Sequence, residues 1–272
     1  GSTVGPDYTI IIWDLVSGEP AKTLQGHQND VESLDWSRSG QLASGSGDLT
    51  VIVWNLETNQ PEKILEGHNG WVTSVAWSPD GRLASGSCGN LVGIVCHQGE
   101  IIIWDIETGQ PDQNFRGHTS DITSVAWSKE GLLASGSYDG TVIIWDVETG
   151  LPVQTLKGHT DGVNSVTWSP YGQLISGSSD NRVIIWDMET GQPEQVLEGH
   201  TNKVRSVRWL PGGNLLASAS EDKDIRIWRM DPQGWVSENC KRAGRNFTPE
   251  EWQQYFPDEE YRVTCPHWPA GE

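Results

Sequence analysis

Five Gly-His pairs, ending at His27, His68, His118, His159 and His200, recur at intervals of 41, 50, 41 and 41 residues. Apolar runs that close on Trp13, Trp54, Trp104, Trp145, Trp186 and Trp228 keep the same step, at 41, 50, 41, 41 and 42. A period of this length makes each unit one supersecondary motif that must bury its faces against neighbouring copies. In the third full unit four strand-length pieces stand out: 122–127, 131–137, 141–145 and 152–157. The connections SKE, YDG and VETGL between them are hairpin-sized and rich in turn formers. No unit shows a 3.6-residue apolar pattern, which excludes a helical solenoid. Four-stranded antiparallel sheets stacked radially satisfy both faces of every unit. The 15 Trp and 31 Gly against 3 Phe and 2 Met suit such short strands and tight turns.

Gly117-His118 opening a unit and Trp145-Asp146 closing it resemble the WD40-repeat β-propeller family, and the likeness spans residues 7 to about 230. The resemblance implies an all-β propeller, with a partial blade over 3–25 and repeats starting near 26, 67, 117, 158 and 199. It further implies a hydrogen-bonded His, Ser or Thr, Asp and Trp in each blade. Carried over, these are His27, Ser44, Asp48 and Trp54; His118, Ser135, Asp139 and Trp145; His159, Ser176, Asp180 and Trp186; and His200, Ser218, Asp222 and Trp228. Either serine of each SGS or SAS stretch fits the pattern. His beside Asp and Ser also suggests a catalytic triad, but a set repeated in nearly every unit reads as scaffold. Two closures are open. Residues 20–25 seal the fifth unit and leave 8–13 over, or the chain begins partway through a longer propeller; the family's common seven blades favour the second. Open blade edges allow a monomer or a dimer.

After Arg229 the pattern stops, and residues 231–272 form a C-terminal extension. Within it Thr248, Pro249 and Glu251 predict a short helix over 248–256, capped by the threonine, that packs its aromatics on the last blade. The extension resembles those of cyanobacterial and other bacterial WD-repeat proteins, some of which carry a signalling NTPase, protease-like or kinase domain upstream.

With 18 Lys+Arg against 37 Asp+Glu the formal charge is −19, which argues against nucleic-acid and membrane-surface partners. No apolar run approaches the ~20 residues of a spanning helix, and the first residues carry no signal-peptide pattern. These readings predict a soluble, cytoplasmic protein. Its Cys88, Cys96, Cys240 and Cys265 are then expected as free thiols.

Chemistry particular to this chain is expected where the repeats differ. Counting from each His, the sixth residue is always Ser and the ninth always Trp, but the third and fifth vary. The third is Asp30, Trp71, Asp121, Gly162 or Lys203; the fifth is Glu32, Thr73, Thr123, Asn164 or Arg205. The residue before the turn Asp is Gly47, Tyr138, Ser179 or Glu221. The family resemblance places all three positions around one mouth of the central channel, where partners dock. Trp71 stands apart from the eleven repeat-locked Trp and fits an aromatic anchor. Lys203 and Arg205 belong to the ten of 18 basic residues after position 200, so the face is expected to run from acidic to basic.

The second unit breaks step through nine extra residues, in SGSCGNLVGIVCHQGEIIIWD. The insertion replaces the short turn, and with it the turn Asp, because Gln98 stands six residues before Trp104. It predicts an apolar loop at the channel mouth, with Cys88, Leu91, Val92, Ile94 and His97 as candidate partner contacts. Cys88, Cys96 and His97 offer three metal ligands without a fourth, so no metal or cofactor is expected. The expected function is a non-enzymatic scaffold that binds a protein or peptide on this variable face. Its rivals are a sensor or autoinhibitory part of a larger bacterial signalling protein and, more remotely, a central-channel enzyme.

Overall fold

The computed structural model describes residues 8–92, 95–210, 213–230 and 248–249, with the side chains of Leu91 and Val92 left aside. The described residues form strands joined by turns. A two-stranded antiparallel sheet comes first, β1 (Ile10–Trp13) and β2 (Pro20–Leu24). Four sheets of four strands follow, each an antiparallel meander. The first holds β3 (Val31–Trp36), β4 (Leu42–Ser46), β5 (Thr50–Asn55) and β6 (Gln60–Glu66). The second holds β7 (Ser74–Trp77), β8 (Leu83–Val92), β9 (Val95–Asp105) and β10 (Gln110–Arg116). The third runs through β11 (Ile122–Trp127), β12 (Leu133–Ser137), β13 (Thr141–Asp146) and β14 (Leu151–Lys157). The fourth runs through β15 (Val163–Trp168), β16 (Leu174–Ser178), β17 (Val183–Trp186) and β18 (Pro193–Leu197). A fifth sheet has three strands, β19 (Val204–Trp209), β20 (Leu215–Ser220) and β21 (Ile225–Arg229).

Why the third strand of each unit is a run of apolar residues is explained by period two. On β13, Ile143 and Trp145 join a core with Ile101 and Ile103 of the second sheet. The alternate residues Val142 and Ile144 face the other way, into a core with Val163, Ile184 and Trp186 of the fourth. Both faces of the strand are therefore buried, and every β-branched position has a packing role. The same exchange joins the first sheet to the second through Val51, Val53, Val72 and Trp104. It joins the two-stranded sheet to the first through Ile10, Leu24, Ile52 and Trp54.

The repeated Ser six residues past each His links the sheets. Ser33 Oγ accepts the Val75 N–H at 3.0 Å, Ser74 that of Val125 at 3.0 Å, Ser124 that of Val166 at 3.1 Å and Ser165 that of Val207 at 3.2 Å. In the third and fourth sheets the repeated Trp three residues later adds a second link. Trp127 Nε1 donates to Ala76 O and Trp168 Nε1 to Ala126 O, both at 3.1 Å. Trp36 follows a sheet that has only β1 and β2, and it is 49% exposed.

Contacts group the described residues up to Trp209 with Ala217–Ile227 in one compact unit. The second unit comprises 210–216 and 228–272; among its described residues the Met230 N–H bonds the Asn214 carbonyl at 3.0 Å.

One of the two open closures is disfavoured here, and one expectation meets a different outcome. β2 pairs with β1, through Leu24 opposite Ile10, and the structure does not show it as the outer strand of the fifth sheet. The insertion is not a loose loop but a continuation of β8 and β9, with Cys88 opposite Gly99 and Val92 opposite Val95. The ladder continues because both flanks already run antiparallel and Leu91, Val92 and Val95 are apolar residues that suit a strand. The expected helix over 248–256 lies outside the described residues beyond its first two.

Candidate functional site

Each full unit carries one buried polar chain whose direction follows from the donor inventory. Trp145 Nε1 can only donate, and it donates to Ser135 Oγ at 2.8 Å. The Asp139 carboxylate only accepts, so His118 Nδ1 carries the proton toward it, and on the neutral ring Nε2 accepts the Ser135 proton, 2.8 Å away. His118 is then the neutral tautomer with its proton on Nδ1, which donates to Asp139 Oδ2 at 2.9 Å. The Asp also takes the Thr119 N–H at 2.9 Å, anchoring the Gly-His loop to the following turn. Trp54, Ser44, His27 and Asp48 repeat the chain in the first unit. Trp186, Ser176, His159 and Asp180 repeat it in the fourth. In the fifth, His200 reaches Ser218 and Asp222 at 2.7 and 2.8 Å, and Trp228 closes the last strand. The serine that takes part is the first of each SGS or SAS. The second instead accepts the turn Asp N–H, as Ser137 Oγ does from Asp139 at 3.1 Å.

Electrostatics fit that assignment. Burial pushes the Asp139 and Asp180 carboxyls up, but the bonds from their histidines and further donors outweigh it, and both lie well below the usual carboxylate range. Burial pushes the His27 imidazole down, and Asp48 offsets only part of this, so the ring is neutral near pH 7. The serine hydroxyls are buried and already committed, so no substrate carbonyl reaches them. The Ser-His-Asp grouping is structural.

The second unit, expected to have lost its acid, uses Glu100. Its Oε1 lies 3.1 Å from His68 Nδ1, while His68 Nε2 meets Ser85 Oγ at 2.6 Å and Trp104 Nε1 meets the same oxygen at 2.7 Å. Glu100 is fully buried and its second oxygen accepts Asn114 Nδ2 at 3.1 Å, with the Arg116 guanidinium 3.5 Å away. The signal was in the sequence. Glu100 stands four residues before its Trp, where other units have Thr50 and Thr141, whose hydroxyls already approach a His Nδ1 at 3.4 and 3.2 Å.

The variable positions divide into two kinds. At the fifth position from His, Thr73 Oγ1 donates to Ile122 O at 2.5 Å, Thr123 Oγ1 to Val163 O at 2.6 Å and Asn164 Nδ2 to Val204 O at 2.8 Å. These three side chains bind the next sheet of their own chain. Glu32 is exposed, and partial desolvation together with Asp30 pushes its carboxyl up. Arg205 Nε donates to Glu221 Oε1 at 2.8 Å, and that bond, with a smaller contribution from Tyr138, raises the guanidinium above its ordinary range.

The third position from His and the residue before the turn Asp are joined through the backbone. The N–H of Gly47, Tyr138, Ser179 and Glu221 bonds the carbonyl of Asp30, Asp121, Gly162 and Lys203 respectively, at 2.8 to 3.1 Å. The bond needs no particular side chain, which is why these positions tolerate so many. Trp71 is 61% exposed and Tyr138 51% exposed, on loops at the same end of adjacent sheets. The extended β8–β9 hairpin leaves that end too, with Cys88 and Cys96 inside it joined as a disulfide rather than free, their Cα atoms 5.8 Å apart. His97 lies beside Cys96 on β9. Leu91, Val92 and Ile94, expected as its apolar contacts, have side chains outside the described residues, as do Cys240 and Cys265. Asp121 faces the disulfide, and burial pushes its carboxyl up.

No curated protein matches the sequence. The family model of the WD domain, G-beta repeat, matches residues 18–55, 59–105, 109–146, 150–187 and 191–229, more than half of the chain. With a buried Trp-Ser-His-acid chain in each of the four four-stranded sheets and five matched repeats, this chain belongs to the WD40-repeat family.

Proposed function

We propose that the chain binds a protein or peptide through the end of its sheets that carries Trp71, Tyr138 and the β8–β9 hairpin. WD40 repeats generally serve as protein-interaction scaffolds, and their propellers are typically not enzymes. One observation carries the reading. Trp71 is largely exposed at a position where the repeat demands no particular side chain, and a large aromatic left in water is costly unless a partner covers it. Tyr138, also half exposed, adds a second amphipathic surface. Binding here is rigid display. The sheets hold the anchors, so a partner meets a surface whose ordering cost is already met by the fold.

Selection of a random peptide library on the immobilised chain tests this. Peptides enriched on the wild type should bind Trp71→Ala at least about tenfold more weakly, the loss of a hot-spot aromatic. The thermal midpoint of the variant should not move. Peptides that bind both chains equally would place the interface elsewhere.

A further inference from the structure

The β8–β9 hairpin brings together three groups that no repeat feature requires. The Cys88 and Cys96 sulfurs and a carboxylate oxygen of Asp121 all lie within 4.8 Å of one another. Each comes from a different stretch of backbone: β8, β9 and the Gly-His loop that leads into β11. The loop is held against the hairpin by the Gly99 N–H, which bonds the His118 carbonyl at 3.1 Å. Close approach is built in on the other side as well. A Cβ on Gly70 would stand 2.7 Å from the Cys88 carbonyl oxygen, so only glycine lets that loop close on the cysteine.

The sulfurs face oxygens. Cys88 Sγ lies 3.4 Å from Asn90 O and 3.7 Å from Gln98 O, and Cys96 Sγ lies 3.4 Å from Gln98 O. With the Asp121 carboxylate these make an acceptor-rich surround. A disulfide offers it neither a proton nor a positive charge, whereas two thiols, or a cation held by two thiolates, would. Thiolate with carboxylate is also a donor set that suits a borderline-soft divalent ion such as Zn²⁺.

We propose that the reduced hairpin is a redox-gated metal site, in which Cys88, Cys96 and Asp121 together hold one Zn²⁺-class ion. The oxidised form lacks it, because both sulfurs are spent on each other. A thiol or phosphine reductant supplies two electrons and water two protons, turning the disulfide into two thiols. The ion then displaces both thiol protons to the solvent and takes one Asp121 oxygen as its third ligand. A fourth position remains for water or a partner's donor. The two states differ in what they tie together. The disulfide joins the hairpin to itself, whereas the ion would join it to the third sheet and set its angle over the end that carries Trp71 and Tyr138. The site is independent of whether that end binds a peptide.

Residue-resolved alkylation of the full wild-type chain tests it. After phosphine reduction, Cys88 and Cys96 should be alkylated readily without metal, and stoichiometric Zn²⁺ should protect both. The Asp121→Asn chain should need at least about tenfold more Zn²⁺ for the same protection. Asp30→Asn, at the corresponding position of the first unit, should behave as wild type. Circular dichroism of each variant shows whether it is folded. Equal labelling with and without Zn²⁺ would overturn the site, and equal protection in Asp121→Asn would remove Asp121 from it.

Discussion

Glu100 on β9 reaches back 3.1 Å to His68, and so a strand residue does in the second sheet what a turn aspartate does in the others. The relation explains how the unit absorbs nine extra residues. Prolonging β8 and β9 removes the tight turn on which Asp48, Asp139, Asp180 and Asp222 sit. An acid placed further down the strand needs the additional methylene of glutamate to meet the same imidazole nitrogen.

Replacing Glu100 by Ala should therefore destabilise the chain although no turn or loop is touched. His68 Nδ1 and Asn114 Nδ2 lose a fully buried acceptor, and an orphaned buried group costs about 1–3 kcal/mol. Urea unfolding should show a lower midpoint with an unchanged slope. A midpoint equal to wild type would mean that water reaches His68.

Ser135→Ala and Ser137→Ala separate the two serines of one stretch. Ser135 takes a bond from Trp145 and gives one to His118, both inside the core, so its loss should cost about 2–3 kcal/mol. Ser137 bonds the Asp139 N–H and the Ser120 carbonyl nearer the surface, and its loss should cost about 1 kcal/mol. Equal losses in chemical denaturation would contradict the assigned direction of the chain.

Gly136 lies between the second serine and the first, where β12 meets the fourth sheet. A Cβ there would stand 2.7 Å from Val163 Cγ1, a rigid β-branched neighbour. Gly136→Ala should cost about 1–3 kcal/mol through forced separation of the sheets. The thermal midpoint measures it, and Val163→Ala in the same chain should recover part of the loss.

Acid should unfold the chain in two stages, both of the same sign. The His27 imidazole has its pKa lowered by folding, so the unfolded state binds the proton first, and stability falls as pH drops below about 6.5. The Asp139 and Asp180 carboxyls are also lowered, so their contribution is complete above about 3.9 and is lost as pH falls below it. Glu32, Asp35 and Asp121, whose carboxyls desolvation raises, act with the opposite sign at lower pH, so the His27 contribution is read as the fall in unfolding free energy between pH 8 and about pH 5. His27→Gln should flatten the upper part of that decline.

The family resemblance implied the bonded His-Ser-Asp-Trp sets and left the choice of serine open. The sequence by itself determined the repeat, the sheet as its unit and the recurrent His, Ser and Trp positions. All of these are local periodicities: strands at period two, turns at Gly and Asp, and a unit length that only stacked sheets can satisfy. It also marked Trp71 as a residue the repeat does not explain. Contacts between units were decided only in three dimensions. Thr73, Thr123 and Asn164 look like free rim residues in a single repeat, yet each bonds the carbonyl that opens the next sheet. Glu100 replaces a missing Asp from another element, and Asp121, 25 residues beyond Cys96 in the chain, meets its sulfur because the third sheet packs beside the second. Such pairings depend on where neighbouring sheets place their ends, a property of packing that no single period encodes.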